Sequence, residues 1–435
     1  MKRLWKHIPP CLSDVMGFQA VMSQTDGFGI IDDPGRYKPL STLGVGDAMP
    51  MSMSAGKPGA VKTGFGGDRG GFGGDRGGKG GRERGGYGGG RGGKGGRGGA
   101  ADTHVTDSAL RNEDIISGTE HKIIQAYEDN AGSNPKFVFV SNAPSSAMIS
   151  SDVESASLRI AEIGNIPAGS VKIYGEKDYL FGAAITFEAI AKLLMEKAEK
   201  IDRSVNILGC NIIDWNQEAI DTFTRLIEER GAKVIGKWGA AGMTTESIKA
   251  SAAAALNIVV NVSGIKAAQY MKDEFGIPYI VGAPYGKEQC GEMLTLMEKA
   301  FDDPEFESAG AFLDSSKSAD EPYDAIVMGE QLAANAIRRA LKAKGYSNVR
   351  VFSFLEMDKK YMEPGDKKVV SEDELLELTN VESLKLIAAN PDYSGAVEKA
   401  VSWIELPNSG MAIMKKVNPV NMVSGALETW LDANI

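Results

Sequence analysis

The sequence predicts an α/β protein of three Rossmann-like parallel-sheet domains, interrupted by a disordered Gly/Arg-rich insert. Three observations predict it. From about residue 105 onward, short β-branched and apolar runs alternate with amphipathic stretches, a rhythm that builds parallel sheets through right-handed crossovers. One stretch shows the unit whole. Asn257–Val262 reads as a strand buried on both faces, Ile265–Phe275 as a helix, Gly276 as its left-handed stop and Pro278–Val281 as the next strand. Finally, a chain of 435 residues exceeds what one compact core accommodates.

Taken in order, residues 1–55 form an N-terminal segment expected to pack on the first domain, and residues 56–100 form the insert. Within the insert GFGGDRG occurs twice in tandem, at Gly64–Gly70 and Gly71–Gly77. Lys57 to Arg97 holds ten Lys/Arg against three acids, a net of +7, which leaves −17 for the rest of a −10 chain. Such a stretch cannot bury enough apolar surface to offset its backbone entropy. The first domain (101–204) has helix Thr119–Asp129, strand Lys136–Val140, helix Asp152–Ile163, strand Val171–Tyr174 and a long helix from Ala183 to Lys200. The second (205–320) starts at strand Val205–Leu208 and continues through helix Gln217–Glu229, strand Lys233–Ile235, helix Thr245–Ala254 and the unit described above. The third (321–435) has strand Ala325–Met328, helix Gln331–Lys344, strand Val349–Phe354, helix Glu372–Ala389 and strands near Val401–Ile404 and Met411–Ile413. In such sheets ligands sit at the carboxyl ends of strands, and clefts between domains are favoured pockets.

Composition narrows the function classes. A net charge of −10 argues against a nucleic-acid-binding body. MKRLWKHIPP carries no signal-like apolar core, and no apolar run reaches membrane-span length, so a cytoplasmic protein is expected. Three cysteines (Cys11, Cys210, Cys290) are too few and too scattered for a disulfide framework. His7, His104 and His121 occur at no metal-ligand spacing. The turn Gly236-Lys237-Trp238-Gly239 lacks the residue order of a phosphate loop, so no ATP site of its own is expected. Arg/Gly repeats with Phe65, Phe72 and Tyr87 have the make-up of RNA-binding tails. The interspersed acids and the placement inside the fold favour a flexible insertion instead, and nucleic acid is not expected as a partner.

Four places carry a family resemblance, which covers roughly residues 8–40 and 105–435. They are Pro10-Cys11-Leu12-Ser13-Asp14 with Gly29-Ile30-Ile31; Phe139-Val140-Ser141 through Ile149-Ser150-Ser151-Asp152; Val205–Leu208 with Asn211-Ile212; and Thr244–Ile248 with Gly264–Tyr279 (GIKAAQYMKDEFGIPY). In this order they resemble the component 1 subunits of nitrogenase and nitrogenase-like reductases. The resemblance implies anaerobic metabolism and an oxidoreductase subunit paired with a related component 1 subunit, as a hetero- or homodimer. An ATP-dependent iron–sulfur reductase would feed it electrons, and a small molecule or tetrapyrrole-like substrate would be reduced. It also implies an iron–sulfur cluster between subunits, held by cysteines from three loops of each.

This chain departs from that pattern. Cys11 matches the first ligand position, but Tyr37 stands at the second and Ala143 or Pro144 at the third. The position of the thiolate that holds the active-site cofactor in nitrogenase is Gly264. Some nitrogenase-like reductases build the cluster asymmetrically, with a single ligand, even a carboxylate, from one subunit. On that pattern Cys11, Asp32 or Asp33 is this chain's contribution, and a carboxylate there would be the harder, rarer ligand. Ser141, Asn142, Cys210, Asn211, Lys237, Gly264 and Tyr285 fall at strand ends and are candidate cleft or substrate residues. A non-catalytic scaffold or maturation protein for a metal cofactor, or a degenerate partner subunit, is the competing expectation.

Overall fold

In the computed structural model the strands fall into three sheets, and each sheet is wholly parallel. The structure describes residues 8, 11–35, 104–303, 306, 313, 314, 316, 318–407, 410 and 418–435. The Gly/Arg-rich insert, Tyr37 and the expected strand Met411–Ile413 lie outside the described residues.

The first sheet contains β1 (Phe28–Asp32), β2 (Val105–Asp107), β3 (Val138–Asn142) and β4 (Ala168–Val171), in the order β2-β1-β3-β4. The N-terminal stretch thus contributes an inner strand. Alternation explains how this sheet is covered on both faces. Phe28, Ile30, Val138 and Val140 pack outward under α3 (Glu120–Asn130) and α5 (Val153–Gly164), whereas Ile31 and Phe139 face the main core. Two short helices, α2 (Asn112–Ser117) and α4 (Pro144–Met148), follow β2 and β3.

Helix α1 (Asp14–Met22) precedes β1 and is buried along its whole length. It crosses α6 (Tyr179–Leu194) backbone to backbone. A Cβ on Gly17 would lie 2.0 Å from the Tyr179 carbonyl oxygen, and one on Gly182 would lie 1.8 Å from that of Asp14. Only glycine permits that approach, so these two residues set the distance between the helices.

The second sheet has β5 (Ser204–Leu208), β6 (Lys233–Trp238), β7 (Leu256–Val259) and β8 (Tyr279–Val281), ordered β6-β5-β7-β8. Helices α7 (Gln217–Glu228), α8 (Thr245–Ala250), α9 (Ile265–Phe275) and α10 (Lys287–Asp302) complete it. The third sheet runs β11-β10-β9-β12-β13. Its strands are β9 (Ala325–Met328), β10 (Val349–Ser353), β11 (Lys367–Lys368), β12 (Leu386–Ala389) and β13 (Ser402–Glu405). Helices α11 (Gln331–Ala343) and α12 (Glu372–Thr379) lie within it in sequence, and α13 (Ala426–Asn434) ends the chain. One hydrophobic cluster runs through all three sheets, from Ile31 and Phe139 through Val205 and Leu256 to Ala325 and Val351. Among the described residues no helix is long and apolar enough to cross a membrane.

Several boundaries differ from the expectation for local reasons. The long helix starts at Tyr179, because Asp178 caps it by accepting from Leu180 and Phe181 N–H groups, and it stops at Leu194, where Met195 turns extended. The fourth strand is Ala168–Val171 rather than Val171–Tyr174, since only those residues pair with β3. Helix Thr245–Ala254 ends at Ala250 and tightens into a 3₁₀ turn over Ser251–Ala253. The expected helix Glu372–Ala389 is two elements. It stops at Thr379, and Leu386–Ala389 pairs with β9 and β13 as a central strand buried throughout.

Candidate functional site

Each sheet reverses its strand order at one place: between β1 and β3, between β5 and β7, and between β9 and β12. In open parallel sheets these switch points, at the carboxyl ends of the strands, are where ligands bind. The candidate residues gather at them, in three separate groups.

At the first switch point Asp32 and Asn142, paired across β1 and β3, end the sheet. The Asp32 carboxylate is fully buried and accepts hydroxyls from Ser108 (2.8 Å) and Ser151 (2.5 Å). Asp33 Oδ1 accepts from Ser145 (2.8 Å) and its backbone N–H donates to Ser108 (3.1 Å). Ser141 Oγ turns back to the Asn142 carbonyl (2.8 Å), and Asn142 Nδ2 donates to the Ser151 carbonyl (3.3 Å). The two carboxylates are therefore held by serines from the loop leading to α2 (Ser108), from α4 itself (Ser145) and from the turn between α4 and α5 (Ser151). Those two short helices and the turn after each carry exposed apolar side chains: Ile116 is 89% exposed and Met148 87% exposed, with Ile115 and Ile149 beside them.

Cys11 sits apart from that network. It is half-buried against Tyr393, whose hydroxyl it meets, and its thiol is pushed up to about 12 by burial, with Asp178 adding in the same direction. A thiol so strongly held in its protonated form is a poor metal ligand until something replaces that environment.

The second and third switch points face each other. Cys210 is buried, donates its N–H to the Trp238 carbonyl (2.8 Å), and is also pushed up to about 12 by burial. Half-buried Lys237, on β6, partly offsets that rise. Asn211 Oδ1 accepts from Ile213 N–H (3.0 Å), and its buried Nδ2 has no hydrogen-bond partner among the described residues. Asp214 accepts from Tyr179 Oη (2.6 Å) and Asn261 Nδ2 (2.8 Å). Glu330 bridges the two sheets: Oε1 accepts from Val262 N–H (2.9 Å) and Oε2 caps α11 at Ala333 N–H (2.9 Å). Tyr285, buried beside them, stacks on Trp215 with centroids 5.3 Å apart. Sequence reasoning reached Cys210, Asn211, Gly264 and Tyr285 here but missed Asp214, Asn261, Glu330 and Tyr179. The available signal was position: Asn261 and Glu330 come within two residues of the ends of buried strands.

Burial, and next Asp214, push Glu330 up from 4.5 to about 7. An acid raised in the folded state stabilises the fold fully below its unfolded value, and this contribution is lost as pH rises through the folded value. Asp178 acts with the same sign but, pushed up to about 6 chiefly by burial, it titrates lower. Stability should therefore fall by roughly 2–3 kcal/mol across Glu330's window, from about pH 4.5 to about pH 7. Glu330→Gln should flatten urea-unfolding midpoints between about pH 6 and 7; an unchanged slope in that variant would contradict the assignment.

The donor set does not fit an iron–sulfur cluster on this chain alone. Thiolates are what such clusters require. Of the loop positions described, Cys11 is the single thiol, while Ala143 is core and Pro144 opens α4 against Gly175. Gly264 backs directly onto β5: a Cβ there would lie 2.9 Å from the Leu208 carbonyl carbon and oxygen. A cysteine at that place would require the backbone to move. Among the described residues no three His, Cys, Asp or Glu side chains converge as a metal site.

A family model described as nitrogenase component 1 type oxidoreductase matches residues 95–354. The chain is 32% identical over 193 residues to the nitrogenase iron-molybdenum cofactor biosynthesis protein NifE of Clostridium pasteurianum, covering 42% of this chain and 41% of that protein. It is 25% identical over 211 residues to a light-independent protochlorophyllide reductase subunit of Angiopteris evecta, covering 45% of this chain and 41% of that one. The matching stretch thus spans about two fifths of these curated relatives. The solved structure of nitrogenase Cp1 at pH 6.5 superposes with a TM-score of 0.68 at 12% identity, over 100% of this chain and 93% of that one, a likeness of fold. With three parallel sheets in this arrangement and a family match over more than half its length, the chain belongs to the nitrogenase component 1 type oxidoreductase family.

Proposed function

We propose that this chain is the ligand-poor half of a heteromeric, nitrogenase-like component 1 oxidoreductase. A related subunit supplies the thiolates of an iron–sulfur centre, and an ATP-dependent iron–sulfur reductase supplies electrons. The substrate is a small molecule or tetrapyrrole-like compound. The observation that carries this reading is the first switch point. Two buried carboxylates held by serines stand beneath helices whose apolar residues, Ile116 and Met148 above all, are exposed. Large apolar side chains exposed on short helices fit a protein contact better than a solvated surface. Asp32 and Asp33 order that end of the sheet in this picture, Cys11 stands apart from it against Tyr393, and Cys210, Asn211, Lys237, Gly264 and Tyr285 line the inner cleft.

A second reading, a maturation scaffold that carries no cluster, is favoured by one specific observation: Gly264 leaves no room for a side chain where a cofactor thiolate would stand. The two readings share the heteromer. A tagged chain co-expressed with a related component 1 subunit from the same genome should co-purify with it through a salt wash; recovery of this chain alone would sink both.

A further inference from the structure

We propose that the cavity between α11 and the Trp215–Tyr285 ring pair binds the ammonium group of a short primary alkylamine. The cavity has a volume of about 40 Å³. One water needs roughly 10–15 Å³ on this measure, so the space suits about three heavy atoms. Its polar lining residues are Asp214, Glu330 and Tyr285, and among the described residues no Lys, Arg or His lines it. Its other walls are apolar, including Ile337, Leu406 and Met422.

Tyr285 points to a ligand independently of the acids. It is only 5% exposed and lines the cavity, yet its hydroxyl makes no hydrogen bond among the described residues. A buried hydroxyl without a partner costs free energy unless something in the cavity meets it. Burial, then Asp214 and Glu330, push its phenol well above the ordinary value, so it remains a neutral O–H whose oxygen can accept.

An ammonium head carries three donors, one for the Tyr285 oxygen and the others for the acids. The Trp215 face offers a cation–π contact. Calcium would require six or more oxygens, which these largely apolar walls do not provide. The titratable groups that bear on pH are Glu330, Asp214 and Tyr285, which line the cavity, and Cys210, which acts on Tyr285. Ionised Glu330 favours binding, so affinity should drop several-fold between pH 8 and pH 6, on either side of the value of about 7 held by that carboxyl.

The test is calorimetric titration of the full chain with ethylammonium chloride at pH 8, with potassium chloride at matched ionic strength and ethanol as controls. Saturable binding of ethylammonium alone is expected. Tyr285→Phe keeps the ring stack and removes no protein hydrogen bond, so it should fold normally and bind about tenfold more weakly. Equal affinity in Tyr285→Phe, or heats no larger than those of potassium chloride, would overturn the proposal. The outcome does not depend on whether the chain forms a heteromer.

Discussion

Asp366→Ala should lower the stability of the fold by about 3–5 kcal/mol, the cost of breaking a buried charge pair and stripping two backbone N–H groups of their acceptor. Arg338 is 1% exposed and donates from Nη1 to both Asp366 oxygens, at 2.7 and 2.8 Å. Its Nη2 donates to Asn335 Oδ1 (2.5 Å), while Nε lies 3.3 Å from Glu363 Oε1 as an ion pair without a hydrogen bond. Asp366 also accepts N–H bonds from Val351 (2.9 Å) and Glu363 (2.7 Å). The substitution therefore leaves the guanidinium to the Glu363 ion pair and orphans two backbone donors together. This network pins α11 to β10, and Glu330 caps the start of α11, so the loss reaches the inner cleft. A shift in urea-unfolding free energy below about 1 kcal/mol would show that water or another group reaches the guanidinium.

The second large effect concerns the surface around α2 and α4. Ile116→Asp combined with Met148→Asp should weaken capture of the related subunit about 100-fold, as expected for losing two central apolar contacts and desolvating charge. Both side chains are almost fully exposed in the single chain, so its own stability should change by no more than about 0.5 kcal/mol. Unchanged capture by a correctly folded double variant would move the contact elsewhere on the molecule.

Much of the fold was legible because parallel strands buried on both faces are nearly continuous apolar runs. Lys136–Val140, Val205–Leu208, Asn257–Val262 and Ala325–Met328 could be read directly, and Gly276 marked the end of α9. Two kinds of element resisted. Leu386–Ala389 follows a true helix and uses Leu and Ala, good helix formers, so its strand identity comes from pairing with β9 and β13. Helix α1 is buried all round and shows no apolar stripe; its signals are Gly17 and, on α6, Gly182, and neither names its partner.

The site divided in a similar way. Residues at or just after strand ends, such as Asn142, Cys210 and Asn211, could be placed near switch points from sequence. Their chemistry could not, because it depends on partners far along the chain. Ser151 and Ser108 satisfy Asp32, Tyr393 meets Cys11, and Asp214 raises Glu330. The family resemblance suggested thiolate positions, and the packing around Ala143, Pro144 and Gly264 explains how this chain fills them without sulfur.

The most direct test is iron and acid-labile sulfide in anaerobically purified protein, measured for the chain alone and for its complex with the co-expressed related subunit. The account predicts no bound iron in the isolated chain and a cluster's worth in the complex. A full complement of iron and sulfide on the isolated chain would contradict it, because a ligand set would then exist that these loops do not show.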